Sequence, residues 1–288
     1  MTAPTLDLAA TLAALDAGGP LALVDERDVI VVSGPDAVTY LQGQISQNVA
    51  ALAVGASADS LVLDPQGKVD GWFRLTRLAD DTIALDTEAG LGERIETRLR
   101  RFWLRVDATL TLSTWKRATL VGAGEPMAPD GGFAVRAADV TEVLGPELAV
   151  PVDGAADAPV GDPAAVETLR IRAARPRIDL DATDRTIPAE LGVVDQSADF
   201  TKGCYVGQEL VARVDSRGNN TPRRLVVCTA AEAVAAGAAI TTSAGDEAGH
   251  VTSVAPEADG VRLFASIKRG VEPADGLTAD GVALTPAD

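Results

Sequence analysis

Histidine and cysteine are scarce in this chain of 288 residues, which contains one histidine, His250, and two cysteines, Cys204 and Cys228. A closed zinc site built from these residue types needs four ligands, so the chain cannot form one, although a single ligand to a labile cluster stays open. A Cys/His nucleophilic pair would have to recruit His250 from a distant part of the chain, and we do not expect one. The residues therefore predict no metal site.

Positive charge is also in short supply, since 25 lysines and arginines stand against 42 aspartates and glutamates, for a formal net charge of −17. Nucleic-acid-binding proteins usually carry a basic face, so the bulk charge argues against a nucleic-acid partner. Arginines are nevertheless concentrated in residues 94–105 and 170–177. Such patches suit a small anionic ligand, or else they pair with surface carboxylates.

Long apolar runs are missing, and the longest fall far short of the roughly 20 residues that cross a bilayer, so we expect no membrane association. The N-terminal segment lacks the basic stretch and apolar core of a secretory signal. We therefore expect a cytoplasmic protein with reduced cysteines, and we expect it to be a monomer.

The sequence does contain an alternation of short helix-like and strand-like segments. Apolar spacing predicts helices over residues 6–15, 37–49, 93–102 and 164–173. Short β-type runs predict strands over residues 29–33, 60–63, 69–78 and 83–86, with a tight turn at 64–67. Residues 122–161, rich in Ala, Gly, Pro and Asp, predict variable loops between short elements. The absence of a regular βαβ rhythm favours an α+β fold.

The pattern changes beyond Pro222, where short β-type runs follow one another with only Gly and Asp turns between them. The runs are residues 224–229, 238–242, 250–254 and 261–267. Several short strands at this close spacing predict a small antiparallel barrel. We therefore divide the chain into a core of residues 1–222 and a C-terminal domain of residues 223–288.

The most distinctive string is Lys-Gly-Cys-Tyr-Val-Gly-Gln-Glu at residues 202–209. Apolar residues within it and after it share one helical face, and Gly218 supplies a C-terminal stop. Cys204 is thus predicted at or just before a helix N-terminus, two residues from Lys202, where the helix dipole and the ammonium both favour a reactive thiolate. The alternative is an inert, small hydrophobic residue, as we expect for Cys228 within its β-type run. Lys202 precedes the glycines, which excludes a Walker-type phosphate loop.

This string resembles the signature of the YgfZ family, whose members are relatives of the glycine-cleavage T-protein. Ile-Pro-Ala-Glu-Leu-Gly at 187–192 precedes it, and further similar stretches lie at residues 34–44, 63–68 and 249–254, so the resemblance spans nearly the whole chain. It implies a folate-binding T-protein-like core in two lobes, the inner lobe at roughly residues 55–160, with the C-terminal β-barrel completing a ring around a central tetrahydrofolate pocket. It also implies a role in the assembly or repair of iron–sulfur clusters.

Candidate site residues follow from this resemblance. Cys204 and Lys202 are the candidate catalytic residues. A pterin needs an acceptor carboxylate, an apolar slot and cations for its glutamate tail. Glu190 is the first candidate for the pterin carboxylate and Glu209 the second, and the motif residues Tyr205 and Gln208 are further candidates for folate binding. Arg213, Lys202 and the Arg98/Arg101 region are candidates for contact with the tail. Gln42 and Gln44 are candidates for lining the slot. Helix caps, ion pairs and surface positions are the structural alternatives. We expect Trp72 and Phe73 in the core.

Three functions stay open. The first is a protein that binds tetrahydrofolate or a one-carbon derivative and uses Cys204 in cluster assembly or repair, with iron–sulfur proteins or assembly factors as partners. The second is a folate-dependent methyl or aminomethyl transferase of one-carbon metabolism, for which the acid of the T-protein has no clear match and Glu93 or Asp86 is only a loose candidate. The third is a redox-sensing thiol, which lacks a nearby resolving cysteine.

Overall fold

A computed structural model describes residues 3–124, 126–137, 140–272 and 276–287. Residues 125, 138 and 139 of the predicted loop-rich stretch, and residues 1, 2, 273–275 and 288 of the predicted domains, lie outside the described residues. The helices are α1 (Leu8–Asp16), α2 (Ala37–Gln44), α3 (Gly92–Arg100), α4 (Ala165–Arg172), α5 (Ile178–Asp181), α6 (Pro188–Leu191), α7 (Val194–Ser197) and α8 (Gln208–Asp215), with a 3₁₀ turn at Val49–Ala51. None of the helices within these ranges is long and apolar enough to cross a membrane.

The first part of the chain forms a seven-stranded sheet whose strand ladders are all antiparallel. Its strands are β1 (Leu21–Ser33), β2 (Ser57–Leu63), β3 (Val69–Ala79), β4 (Thr82–Glu88), β5 (Thr109–Val121), β6 (Phe133–Ala137) and β7 (Val140–Gly145), in the order β2-β3-β4-β1-β5-β7-β6. The antiparallel pairing confirms the α+β prediction. The sheet includes strands on both sides of residue 55, and the limits of the two lobes stay a prediction.

Helices α2 and α3 cover one face of this sheet. Leu41 and Ile45 from the α2 region and Ile95 and Leu99 from α3 are almost fully buried in one hydrophobic cluster with the sheet. The hydroxyl of Tyr40 donates to the carbonyl oxygen of Leu99 and ties the two helices together. Helix α2 ends earlier than the predicted residue 49, because Ile45 is already extended.

The opposite face of the sheet carries a network of ion pairs. Arg74 bonds both Asp86 and Glu142, and Arg27 bonds Asp86 and Glu88. Burial raises the pKa of Glu88, but the attraction of Arg27 outweighs it and lowers that pKa to about 2. The Asp86 side chain is fully buried and held by two arginines, which removes it as an acid for the transferase alternative.

The C-terminal part forms a closed antiparallel barrel, as predicted. Its strands are β8 (Arg223–Ala230), β9 (Ala239–Thr242), β10 (Glu247–Glu257), β11 (Gly260–Lys268), β12 (Leu277–Ala279) and β13 (Val282–Pro286), in the order β10-β11-β8-β13-β12-β9. Cys228 is fully buried among the aliphatic residues of the barrel interior, which confirms the expectation of a core cysteine.

The segment from α4 to α5 joins the sheet part to the barrel through Asp181. Its carboxylate accepts hydrogen bonds from Arg170 at 2.9 Å and from the hydroxyls of Thr252 and Ser253 on β10, both at 2.5 Å. A buried carboxylate with this many donors is strongly held. Every arginine of residues 170–177 pairs with a carboxylate. The ion-pair interpretation of that patch is therefore confirmed.

Candidate functional site

The motif residues 202–207 form a loop, here called the motif loop, between α7 and α8. Asp199 begins it with a turn, in which one carboxylate oxygen accepts the backbone N–H groups of Thr201 at 2.7 Å and Lys202 at 3.1 Å. The backbone N–H of Asp199 in turn donates to the carbonyl oxygen of Ser46 at 3.1 Å. The loop is thus attached to the segment that follows α2.

Lys202 fixes the loop to the end of α2. Its ammonium donates to the carbonyl oxygens of Gln42, Ile45 and Gln47 at 2.7, 2.7 and 2.8 Å. The last carbonyl groups of a helix have no intrahelical partner and favour a cation, which explains why a lysine stands here. Burial lowers the pKa of Lys202 to about 8, and the attraction of Asp199 opposes this shift. Since an ammonium has three N–H donors, Lys202 has none left for a folate tail.

Gly207 fixes the other end of the loop to the turn between β2 and β3. It adopts φ +83°, and a Cβ at this position would lie 2.6 Å from the carbonyl oxygen of Asp64 and 2.8 Å from the Cβ of Leu63. Gly67 of the same turn, at φ +82°, approaches Leu210 of α8 equally closely. Only glycine combines this backbone conformation with such a close approach. Gly207 and Gly67 therefore allow the motif loop and α8 to pack closely against the β2–β3 turn.

Cys204 lies on the motif loop between these two attachment points, and it is exposed. Helix α8 begins at Gln208 with Gly207 as its N-cap, so the predicted place of Cys204 at or just before the helix N-terminus is wrong. The tight turn at Gly207 delays the helix start. The loop presents the thiol to solvent between the attachment points at Lys202 and Gly207.

Two of the other motif residues have local contacts. Gln208 accepts the backbone N–H of Tyr205 at 3.1 Å through its side-chain oxygen. Tyr205 is buried in a hydrophobic cluster, with the Lys202 ammonium 5.2 Å from its ring centre, and burial raises its pKa to about 12. Glu209 and Arg213 are exposed on α8. Of the motif side chains proposed to bind folate, these last two are the ones that face water.

Glu190 caps its own short helix. One carboxylate oxygen accepts a hydrogen bond from the backbone N–H of Ile187 at 3.0 Å. This oxygen therefore has the helix-cap role that was the structural alternative to folate binding. The second oxygen accepts no hydrogen bond from the described residues. An apolar cleft too narrow to hold a water molecule lies beside this helix, lined by Ile187, Pro188, Ala189, Val194, Leu210, Val211 and Val214. Glu190 thus keeps one free acceptor next to the helices α6 to α8.

Gln42 and Gln44 differ in whether their side-chain polar atoms have hydrogen-bond partners. The Gln42 side chain donates to Asn48 and accepts the backbone N–H of Ala50, both at 3.1 Å, so it supports the turn after α2. The side-chain oxygen of Gln44 is buried and has no hydrogen-bond partner in the described part of the chain. A buried acceptor without a partner costs free energy unless a donor reaches it. Gln44 is therefore the better candidate for contact with a ligand.

Arg98 is the second residue with unsatisfied polar atoms. It lies on α3 beside a cavity of about 360 Å³, here called the arginine cavity, which is lined by Asp70, Glu93, Arg94, Thr97, Arg98 and Arg101. The Arg98 Nε donates to the carbonyl oxygen of Leu63 at 3.0 Å, whereas Nη1 and Nη2 are buried without a partner within the described ranges. Gln44 and Arg98 thus leave an acceptor and a donor pair open on the two helices that pack together.

The structure brings part of the predicted site together. The motif loop contacts the end of α2 through Lys202 and contacts the β2–β3 turn through Gly207, and the strand leading into that turn also receives Arg98. Sequence reasoning missed the structural roles of Lys202 and Gly207. The spacing of their contacts, up to about 160 residues apart along the chain, leaves no local signal. Trp72 and Phe73 are buried, as expected.

Comparison with known proteins gives no match to any family model. An uncharacterised protein of Haemophilus influenzae is 30% identical over 199 residues, covering 68% of each chain. The tRNA-modifying protein YgfZ of Photorhabdus laumondii is 28% identical, covering 70% of this chain and 69% of that protein. A mitochondrial iron–sulfur cluster assembly factor IBA57 homolog of Pyricularia oryzae is 30% identical, covering 67% of this chain and 53% of that protein.

Among solved structures, the aminomethyltransferase T of the glycine cleavage system from Bartonella henselae superposes with a TM-score of 0.80, covering 96% of this chain and 88% of that one at 20% identity. This likeness shows the fold. Together with the YgfZ proteins of several bacteria that match at 28–29% identity, it shows that the chain belongs to the YgfZ family and has the fold of the T-protein.

Proposed function

We propose that this chain binds tetrahydrofolate, or a one-carbon derivative of it, beside the motif loop and acts in the assembly or repair of iron–sulfur clusters, with Cys204 as the functional thiol. The observation that carries the proposal is the geometry of the motif loop. It is attached at Lys202 and at Gly207, and the thiol between these points is exposed. A fold that needed only a buried hydrophobic residue would not hold a cysteine in this way.

The polar atoms left open on α2, α3 and α6 suit a reduced folate. The pterin offers N–H donors, for which the free oxygens of Gln44 and Glu190 are acceptors, and the glutamate tail offers carboxylates, for which Arg98 has donors. Bound folate would supply a reduced pterin able to carry a one-carbon unit. The chain's own part is to orient the pterin by these acceptors and to exclude water from the buried Gln44 oxygen.

The thiol chemistry follows from exposure. A cysteine binds iron only as the thiolate, so coordination of a cluster iron by Cys204 would release its proton to water. In this proposal the cluster is a substrate of the protein and not its resident cofactor. The name of one relative, an iron–sulfur cluster assembly factor, supports such cargo and points to iron–sulfur proteins or assembly factors as partners. A cytoplasmic location, where thiols stay reduced, suits this role.

The transferase alternative depends on one observation. Glu93 is exposed in the first turn of α3 and lines the arginine cavity, whereas Asp86 is locked in ion pairs on the other face of the sheet. Turnover of a methylated or aminomethylated donor with tetrahydrofolate, lost in Glu93→Gln, would favour the transferase. The redox-sensor alternative has weaker support, because Cys228 is buried in the barrel interior and cannot reach an exposed Cys204 without unfolding.

Two measurements test the proposal. Calorimetric titration with tetrahydrofolate should give saturable heat and a rise in thermal midpoint, and the absence of both at millimolar ligand would refute folate binding. Cys204→Ser should keep the fold and the folate affinity but fail to restore iron–sulfur enzyme activity in cells that lack the protein. Gly203→Ala is the matched control in the same loop, since its Cβ meets nothing within 4 Å. Full restoration by Cys204→Ser would make the thiol dispensable.

A further inference from the structure

Two large apolar side chains are exposed on the segment that follows α3, and they are here called the apolar patch. Leu104 is 82% exposed and Phe102 is 47% exposed. Trp103 and Val106 of the same segment pack against the hydrophobic cluster of α2, α3 and the sheet, and so hold the segment in place. Neighbouring apolar side chains that are exposed on an ordered segment are typical of a surface that another molecule covers.

The apolar patch has a basic rim. Residues 93–107 contain five arginines and three acidic residues, which gives a net charge of +2 in a chain whose net charge is −17. Arg101 and Arg105, on either side of the patch in sequence, are exposed, and neither has an ion-pair partner within the described ranges. Interfaces between proteins are enriched in aromatic residues and arginine. The patch therefore complements an acidic surface that presents apolar side chains.

The apolar patch and the motif loop are both attached to α2. The ring of Trp103 packs edge-on against that of Tyr40, with 4.6 Å between the ring centres, and the Lys202 ammonium donates to the carbonyl oxygen of Gln42 at 2.7 Å. Tyr40 and Gln42 are about 3 Å apart along the helix axis. A standard protein interface covers about 800 Å² on each partner, a region roughly 30 Å across. One interface can therefore include both the patch and the loop that carries Cys204.

A second exposed aromatic residue lies beside the motif loop. Phe200 is 49% exposed and is part of the turn that Asp199 forms at the start of the loop. Of the aromatic residues in the part of the chain that the structure describes, Phe102 and Phe200 alone are exposed. Their positions indicate a contact surface at both places.

The composition of the patch favours a protein partner over three other occupants. A symmetric pair of this chain would place the arginines of one patch against those of the other. A membrane-bound helix presents a continuous apolar face, whereas Trp103 and Val106 pack inward. A single-stranded nucleic acid stacks its bases on aromatic rings, and Leu104, the more exposed residue of the patch, offers no ring.

We propose that the apolar patch and its basic rim dock an acidic segment of the iron–sulfur protein or assembly factor with which this chain acts, so that the partner lies beside Cys204. This inference rests on the proposed function. Phe102 and Leu104 are the apolar anchors, and Arg101 and Arg105 pair with carboxylates that flank the apolar residues of the partner.

Site-specific photo-crosslinking in cells tests the docking surface. Leu104 is replaced by benzoylphenylalanine, with the same replacement of Met127, which is 69% exposed between β5 and β6, as the matched control. The crosslink from position 104 should join an iron–sulfur protein or assembly factor at a segment that combines apolar residues with Asp and Glu. No crosslink, the same crosslink from position 127, or a crosslink to a second copy, a lipid, a nucleic acid or a segment without carboxylates would overturn the proposal.

Charge reversal tests the basic rim separately from the apolar anchors. Arg105→Glu should lower the yield of the crosslink from position 104 several-fold, because a carboxylate would then meet a like charge. Arg185→Glu, at an exposed arginine between α5 and α6, is the matched control and should leave the yield unchanged. Equal yields in the two variants would overturn the acidic partner.

Complementation distinguishes a failure of docking from a failure of the proposed function. The double variant Phe102→Ser/Leu104→Ser should keep the tetrahydrofolate affinity and the alkylation of Cys204, yet it should restore little iron–sulfur enzyme activity in cells that lack the protein. Met127→Ser is the control and should restore the activity fully. Full restoration by the double variant, beside no restoration by Cys204→Ser, would overturn the docking surface alone. Full restoration by Cys204→Ser would refute the proposed function and the inference that rests on it.

Discussion

Replacing Lys202 with methionine removes the ammonium that joins the motif loop to α2 but keeps a long apolar stem. Three hydrogen bonds are lost, to the carbonyl oxygens of Gln42, Ile45 and Gln47. A hydrogen bond from a charged donor contributes about 1.5–3 kcal/mol, and a carbonyl left without a partner adds a desolvation cost. The half-buried position lowers the total, because water replaces part of the lost contacts. We expect the free energy of unfolding to fall by about 2–4 kcal/mol.

Urea denaturation followed by circular dichroism measures this change, with Lys68→Met as the matched control. Lys68 lies on the neighbouring β2–β3 turn, and its ammonium has no partner in the part of the chain that the structure describes. Its replacement should change the free energy of unfolding by less than about 0.5 kcal/mol. If the two variants unfolded at the same urea concentration, Lys202 would not hold the loop and the reasoning would be refuted.

Three further predictions concern the supports of the site. Asp181→Asn should lower the free energy of unfolding by about 3 kcal/mol, because it breaks the buried ion pair with Arg170 and removes the charge that accepts the hydroxyls of Thr252 and Ser253. Asp179→Asn, at the more exposed pair with Arg177, should cost under about 1 kcal/mol. Equal values in urea denaturation would contradict the role of Asp181 as the link to the barrel. Gly207→Ala should lower the thermal midpoint far more than Gly203→Ala, since a Cβ at the first position would lie 2.6 Å from a carbonyl oxygen. The pKa of Glu88 in the folded protein, about 2, lies below its unfolded value, so the stabilisation of the fold by Glu88 is complete above about pH 5 and is lost as the pH falls toward 2. Glu88→Gln should therefore make the free energy of unfolding depend less on pH in this acid range. An unchanged pH dependence would count against the ion pair.

Strand β1 illustrates which parts of the fold were open to prediction. Its second half, residues 29–33, is a β-branched run that predicts a strand by itself. The first half carries Asp25, Glu26 and Arg27, and no strand is predicted over these charged residues. They lie in the strand because Arg117 and Asp86 on neighbouring strands pair with Asp25 and Arg27. Such ion pairs between strands depend on the tertiary fold, so a local sequence pattern gives no sign of them.

The motif illustrates the same limit for the site. Its string and its family could be identified from sequence, and the barrel could be predicted from the spacing of its strands. The helix start could not, because the contact of Gly207 with the β2–β3 turn delays it to Gln208. Nor could the partners of Lys202 or the unpaired nitrogens of Arg98, since both depend on chain segments that meet only in the folded protein.

Folate binding beside the motif loop should protect Cys204 from alkylation. Cys204 is exposed, whereas Cys228 is buried and its pKa is raised by burial to about 11, so iodoacetamide should modify only the first in the folded protein. Peptide mass spectrometry follows the two thiols separately, with Cys228 as the internal control. Saturating tetrahydrofolate should slow the modification of Cys204 several-fold. An unchanged rate with folate bound would place the ligand away from the thiol and contradict a folate site beside the motif loop.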